Sequence, residues 1–524
     1  MTSQYEFRLQ LLQQSSNQNL LSGIRHGIER EGLRVSADAR LSQFSHPEVL
    51  GRTLTHPYIT TDYSEALLEF ITPVYCKLED VMKFLEELHS YTCQNLDSET
   101  LWAGSMPALL EGEQSIPIAR YGDSNPGKMK TVYREGLAHR YGKAMQTIAG
   151  IHYNFSLPES LWQLLSDAES SDRSLEDFQS ESYLAMIRNF RRYSWLLMYL
   201  FGASPAVSKS FFTQQKPIES LAKLDEDTLY LPWATSLRMS DLGYTNNAQS
   251  SLSICYNTLG EYVSSLAKAI KTPYQPYEEI GLKNGDRYLQ LNTNLLQIEN
   301  EYYSNIRPKR IAKRGEKPLT ALSNYGVEYV EVRCMDINPM EPLGLSMVDA
   351  AFLDVFLVFT ALMDSPEIDH AECQRVTENF ARTVSEGRRP GLKLNDEQGP
   401  VTLTDWGLSL IDKMMPVARI LDQANESDLF SESLIQQKEK LLDSECTPSA
   451  RILQALKSSG DGYINWMLKQ SEVHSRYFSQ QEIEPERLEY FGRIAAESRA
   501  DQDRLKASDS THFDEFLKHY FESE

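Results

Sequence analysis

Apolar residues recur at helical spacing over residues 78–96, where Val81, Phe84, Leu85, Leu88 and Tyr91 form one stripe. Two longer runs without Gly or Pro, residues 183–200 and 346–363, predict buried helices. Strand periodicity is expected instead at residues 24–35, 64–72, 150–157, 288–298 and 326–334. Turn chemistry marks Gly122-Asp123-Ser124-Asn125-Pro126-Gly127 and Lys283-Asn284-Gly285-Asp286 as loops. From about Pro366 the pattern is helical and polar, with breaks expected at Pro390, Pro416 and Pro448. The mixture predicts an α+β fold with a core over residues 1–365 and a mostly helical extension, packed on it, over 366–524.

The strand-like segments place their charges on one side. Residues two apart on a strand share a face, so Glu29 and Glu31 point together. Glu65 and Glu69 share a face with Leu67, opposite Ala66, Leu68 and Phe70. His152, Asn154 and Ser156 line one side of their segment, with Ile151, Tyr153 and Phe155 on the other. Glu331 and Arg333 face together, opposite Val330 and Val332. A solvated sheet face explains any one such segment. Four of them gather carboxylates and an imidazole amid apolar strand sequence, where a plain surface would carry Lys and Thr. Hard oxygen donors with one imidazole suit Mg²⁺ or Mn²⁺, and a bound divalent cation relieves repulsion among the carboxylates.

Arginines and tyrosines flank these segments at Tyr133-Arg134 and from Ser236 through Arg238 to Tyr244, either as structural ion pairs or as ligand contacts. The basic run over residues 307–317 reads as a phosphate-facing or solvated loop. Gly122 to Lys128 fits GxxxxGK, but Met129 stands where Ser or Thr would hold Mg²⁺, and no apolar strand leads into it, so a surface turn is expected. No GxGxxG or GxSxG occurs, which leaves metals and arginines as the means of holding a nucleotide.

Charge narrows the partners. Across 524 residues, 52 Lys and Arg face 74 Asp and Glu, a formal −22, which argues against nucleic acid and anionic membranes. Residues 366–524 carry 30 acidic and 19 basic side chains, half of that excess. The most apolar stretch, residues 355–363, is too short to span a bilayer, and the first residues have no secretory pattern. Six cysteines without CxxC spacing suit reduced thiols, and a cytoplasmic monomer is expected.

Several blocks in order carry a resemblance. Gly27-Ile28-Glu29-Arg30-Glu31-Gly32-Leu33-Arg34, Thr60-Thr61-Asp62-Tyr63-Ser64-Glu65-Ala66-Leu67-Leu68-Glu69-Phe70 and Gly150-Ile151-His152-Tyr153-Asn154-Phe155-Ser156 strongly resemble the proteobacterial type of glutamate–cysteine ligase. Further matching blocks lie at residues 201–205, 235–246, 297–310 and 328–339. The resemblance implies the curved antiparallel sheet of the glutamine-synthetase-like carboxylate–amine ligases, surrounded by helices. It implies ATP-dependent joining of the γ-carboxylate of L-glutamate to the amine of L-cysteine through a γ-glutamyl phosphate, the first step of glutathione biosynthesis. Glu29, Glu31, Asp62, Glu69, His152 and Glu331 are then the Mg²⁺ ligands, with Arg333 on the transferring phosphoryl group. Tyr133, Arg134, Gln146, Arg238, Tyr244, Tyr303 and Tyr63 match positions around the amino-acid substrates. Gly32 stands where relatives often have Thr, and Tyr63 where Phe is common, close to the implied cysteine pocket.

Three other readings share these residues: a ligase joining glutamate to a different amine, a catalytically silent metal- or nucleotide-binding protein, and a carboxylate-pair glycosidase. The last fits poorly with the paired arginine and metal-type cluster.

Overall fold

The computed structural model describes residues 3–212, 219–242, 252, 254–313 and 316–522. Its largest sheet contains, among the described residues, strands β1 (Arg25–Val35), β2 (Ile59–Thr61), β3 (Leu67–Ile71), β4 (Thr100–Leu101), β5 (Ile151–Ser156), β6 (Ile306–Lys309) and β7 (Tyr329–Met335). The order is β6-β7-β5-β1-β3-β2, with β4 paired to the end of β1, and every pairing is antiparallel.

Alternation along these strands sorts the two faces as the pattern of the sequence requires. Ile28, Leu68, Phe70, Ile151, Tyr153, Phe155, Val330 and Val332 are all buried without measurable exposure. The helices include α1 (Leu78–Gln94), α2 (Asn125–Tyr141), α3 (Leu175–Phe201), α4 (Met347–Leu362), α5 (Leu403–Asn425), α6 (Gly462–Gln480), α7 (Pro485–Ala507) and α8 (Phe513–Glu522). Helix α4 begins with a capping box between Ser346 and Asp349 and packs Phe352 and Phe356 against Phe201 and Phe190 of α3. Buried Asp354 of α4 accepts hydrogen bonds from Tyr153 (2.7 Å) and pairs with His26 (2.8 Å), which ties the helix to the apolar side of β5 and β1.

The apolar core runs on past residue 365, taking in Leu410, Met414 and Val417 of α5 and Tyr463 and Trp466 of α6. Ser471 of α6 accepts from the Ala103 amide (3.0 Å), and the Tyr463 hydroxyl donates to the Met106 carbonyl (2.7 Å). No helix among the described residues is long and apolar enough to cross a membrane.

Three local expectations are corrected. The loop read over residues 122–127 gives way to α2 at Asn125, because Ser124 caps the helix and Pro126 is tolerated in a first turn. Tyr133 and Arg134 are therefore helical. Of residues 288–298, read as a strand, only Tyr288 belongs to one, the short hairpin of Lys283–Asn284 with Arg287–Tyr288. Side chains such as Asn292 bond to local backbone there instead of a ladder forming. Pro416 lies inside α5 instead of ending it. The proline deprives only the carbonyl of exposed Asp412 of a helical donor, while buried Met414 and Val417 hold the helix in place.

Candidate active site

The polar side of the sheet carries the chemistry. Pairing sets Glu29 opposite His152, Glu31 opposite Glu69, and Glu331 opposite Asn154, so the acidic residues of β1, β3 and β7 form a row across β5. One ligand-type atom from each of Glu29, His152 and Glu331 lies within 4.8 Å of the other two, and the same holds for Glu31, Glu69 and His152. His152 joins the two groups, with Nδ1 3.0 Å from Glu29 Oε2 and Nε2 3.9 Å from Glu31 Oε1. Asn154 Nδ2 donates to the other oxygen of Glu29 (2.9 Å), and the Gly150 amide to Glu31 (2.6 Å).

Crowding divides these carboxylates electrically. Burial, with the charges of Glu29, Asp62 and Glu31 added, lifts Glu69 well above the ordinary carboxylate range. Burial and Asp62 raise Glu31 to about 6. Burial also works against charge on Glu331, but Lys309, Arg333, His152 and Arg307 together hold it well below the usual value. Glu331 sits between Arg333 Nη1 (3.1 Å from Oε1) and Lys309 Nζ (3.2 Å from Oε2). The row thus has a cation-paired end at β7 and a proton- or cation-demanding end at β3.

Two cavities open on either side of the row. One, of about 110 Å³, borders Glu31, Asp62, His152 and Arg333. Its walls also include Tyr63, Tyr133, Arg134, Gln146, Arg238 and Tyr303. The other, of about 780 Å³, lies past Glu29 and Asn154 and is walled by Thr72, Arg310, Ile311 and Tyr329.

The structure brings together all the site residues expected from sequence except Tyr244, which lies outside the described residues. Asp62 stands apart from both three-residue groups, at the end of β2, and acts on Glu31 and Glu69 through its charge. Arg134 also has structural work: its Nε donates to the Asp62 carbonyl and its guanidinium lies 4.5 Å from the Tyr121 ring centroid. Arg238, 1% exposed, donates to the Arg333 carbonyl (2.9 Å), with Nη1 3.7 Å from Asp336. A Cβ on Gly150 would fall 2.1 Å from Arg238 Nη2, so only glycine admits the guanidinium there. Tyr303 donates its hydroxyl to the Met239 sulfur (3.0 Å). Glu65, which shares the strand-like pattern with Glu69, is structural: it accepts from the His46 and Arg120 amides.

Arg307 and Lys309, which the sequence reads only as part of a phosphate-facing or solvated loop, stand on strand β6 instead, and Asn154, expected beside His152 without a role of its own, bonds to Glu29. Arg307 lines the smaller cavity and pairs across the ladder with Glu331, on the same side as Lys309. The signal was present: residues 307 and 309 alternate within the basic run.

Known proteins resemble this chain along most of its length. The family model described as glutamate-cysteine ligase matches residues 9–383. The chain is 52% identical over 513 residues to glutamate–cysteine ligase of Pseudomonas aeruginosa (strain LESB58), covering 98% of this chain and 97% of that one. It is 52% identical over 523 residues to the Azotobacter vinelandii protein of the same name, covering 99% and 98%. The crystal structure of Francisella tularensis glutamate–cysteine ligase in complex with AMP superposes with a TM-score of 0.89 at 38% identity, over 95% of this chain and 97% of that one. A bifunctional glutathione synthetase from Pasteurella multocida gives 0.74 at 26% identity, over 94% of this chain and 58% of the other. With a family model spanning well over half its length and relatives matched almost end to end, this chain belongs to the glutamate–cysteine ligase family.

Proposed function

We propose that the two cavities and the carboxylate row between them carry out the family's reaction, ATP-dependent joining of L-glutamate to L-cysteine, with the residues assigned as follows. The observation that carries the assignment is the row itself: four buried or half-buried carboxylates around one imidazole, with Asp62 nearby and Arg333, Arg307 and Lys309 at one end.

Two residues of that row, Glu31 and Glu69, are raised in pKa by burial and by other carboxylates, an arrangement that a divalent cation relieves. The donor set of oxygens with one imidazole fits Mg²⁺, or Mn²⁺, held by Glu29, His152 and Glu331 and by Glu31, Glu69 and His152, with Asp62 as a further ligand on the resemblance. Such ions, when bound, neutralise the phosphate oxygens of ATP.

The larger cavity has room for a nucleoside, with Tyr329 and Ile311 as apolar walls and Arg310 beside them. The smaller cavity holds the amino acids, with Arg238, Arg134 and the tyrosines Tyr63, Tyr133 and Tyr303 around them. In this arrangement a γ-carboxylate oxygen of glutamate attacks the terminal phosphorus, the bond to ADP breaks, and a γ-glutamyl phosphate forms. Arg333 lies where negative charge grows on the transferring group. The cysteine amine then attacks the acyl carbon, loses a proton, and expels inorganic phosphate. No protein thiol takes part, and the six cysteines of the chain are free, as suits a reducing cytoplasm.

ADP release measured with ATP, Mg²⁺, glutamate and a panel of amines tests the assignment. Cysteine is expected to give the highest rate. A higher rate with another amine would favour a different glutamate–amine ligase, and a rate at background would point to a silent nucleotide-binding protein.

A further inference from the structure

Residues 484–522 close a triangle with α2 and the hairpin 283–288, beside the amino-acid cavity and without lining it. None of residues 484–522 lines either cavity. They bind α2, which carries wall residues Tyr133, Arg134, Leu137 and Tyr141, and the hairpin that braces it. Asp509 Oδ2 accepts from the amide of Asn125, the first residue of α2 (2.8 Å), and the Thr511 carbonyl accepts from the Asn125 side chain (3.0 Å). Lys506 pairs with Asp123 (3.1 Å) just before that helix. Asp514 of α8 accepts from the Tyr288 hydroxyl (2.5 Å) and from Lys283 (2.9 Å), and Phe513 packs edge-on against Tyr288 at 5.4 Å. The third side is direct: Arg287 of the same hairpin donates to Glu135 of α2 (2.7 Å).

Glu135 follows Tyr133 and Arg134 on α2, and these two wall the smaller cavity, so the triangle reaches the cavity through its α2 side. We infer that Asp509 and Asp514 are positioning residues, which fix α2 against the 283–288 hairpin and so set the shape of the amino-acid site, on the reading of that cavity given above. The larger cavity, built from β1, β5, β7 and the start of α3, has no contact with this strap among its lining residues. The strap therefore acts on the amino-acid half alone.

This separates a positioning role from general support. In the full-length protein, Asp509→Ala with Asp514→Ala is expected to raise the KM for glutamate and for cysteine about tenfold, the order set by two charge-assisted hydrogen bonds. The KM for ATP and kcat should stay within about twofold. Tyr288→Phe should move the amino-acid KM values the same way by less. Asp514→Asn, which keeps an acceptor oxygen, should restore them. Circular dichroism melting run alongside guards against misfolding. Amino-acid KM values that stay put while the melting temperature falls would overturn the inference, as would a parallel rise in all three KM values. If the unsubstituted protein released no ADP with glutamate and cysteine, the reading of the cavity would fail first, and this inference with it.

Discussion

Glu331 and Arg333 stand two residues apart on β7 with Oε1 and Nη1 3.1 Å from each other, so a single strand delivers a carboxylate and a guanidinium to one face as a pair. The pair is further held by Lys309 on the neighbouring strand, 3.2 Å from the second oxygen. Arg333 has two roles here: it keeps Glu331 ionised and it presents positive charge to the smaller cavity. Arg333→Ala is expected to lower kcat by about 10²–10³-fold, the usual cost of removing one preorganised group from a developing charge. Arg333→Lys should recover only part of it, because an ammonium cannot reproduce the planar fork. Steady-state kinetics with ADP release as readout check both.

The pH dependence of metal binding follows from Glu31 and Glu69. Both are raised in the folded protein, Glu31 to about 6 and Glu69 well above the ordinary range, in each case chiefly by burial. The folded state thus binds more protons than the unfolded chain. Each contribution to stability is present at acid pH, below the unfolded carboxylate value, and is lost as pH rises through the folded value, about 6 for Glu31. A divalent cation needs both carboxylates deprotonated, so its affinity should run the opposite way. Calorimetric titration of Mg²⁺ should show binding tighter by about tenfold or more at about pH 7.5 than at about pH 5.5. The same affinity at both would contradict the assignment of Glu31 and Glu69 as ligands.

Gly150→Ala tests the seat of Arg238. The added methyl would meet Arg238 Nη2 at 2.1 Å, and the guanidinium is already confined by the Arg333 carbonyl and by Asp336. Displacement of a buried, oriented group is expected to cost about 1–3 kcal/mol of stability. It should also lower kcat/KM for the amino acids by about a hundredfold, as misplacement near 1 Å commonly does. Binding of ATP alone should change little, and parallel calorimetry and kinetics would show the split.

Tyr63 presents the reverse case, a group that the free protein leaves incomplete. Its hydroxyl is buried, 1% of the residue being exposed, and has no hydrogen-bond partner among the described residues, while the residue walls the amino-acid cavity. Burial pushes the phenol well up, so it stays neutral and able to donate. Tyr63→Phe should leave the free protein as stable as before, or more stable by about 1 kcal/mol, since an unmade bond is removed. The KM for one amino-acid substrate should rise about fivefold, the value of one neutral hydrogen bond. Melting curves and KM values measured on the same preparation check the two signs together.

Much of the site was legible because a strand's period of two turns one-dimensional spacing into a shared face. Glu29 with Glu31, His152 with Asn154, and Glu331 with Arg333 follow from that rule, and the ladder sets them side by side. Glu65 shows the limit of the same rule: it lies before β3 begins, where alternation no longer sets direction, and it accepts loop amides instead. Arg307 and Lys309 were hidden by the company they keep, since Arg310, Lys313 and Lys317 continue the basic run off the strand. The helix that carries Tyr133 and Arg134 was not foreseen because Gly122, Pro126 and Gly127 carry turn chemistry, although Ser124 and Pro126 are also what a helix start uses. The triangle of Asp509, Asp514 and Arg287 could not be read at all. It joins residues up to 384 positions apart through exposed charges, and no local pattern marks such a pairing.

On the proposed assignment, glutamate is activated as an acyl phosphate at the row between the two cavities. Glutamate labelled with heavy oxygen in its γ-carboxylate, incubated with the protein, ATP, Mg²⁺ and cysteine, tests it most directly by mass analysis of the released phosphate. The account predicts one labelled oxygen in the phosphate for each γ-glutamylcysteine formed, because the carboxylate oxygen that attacks phosphorus leaves with it. Product formed with unlabelled phosphate would contradict the account.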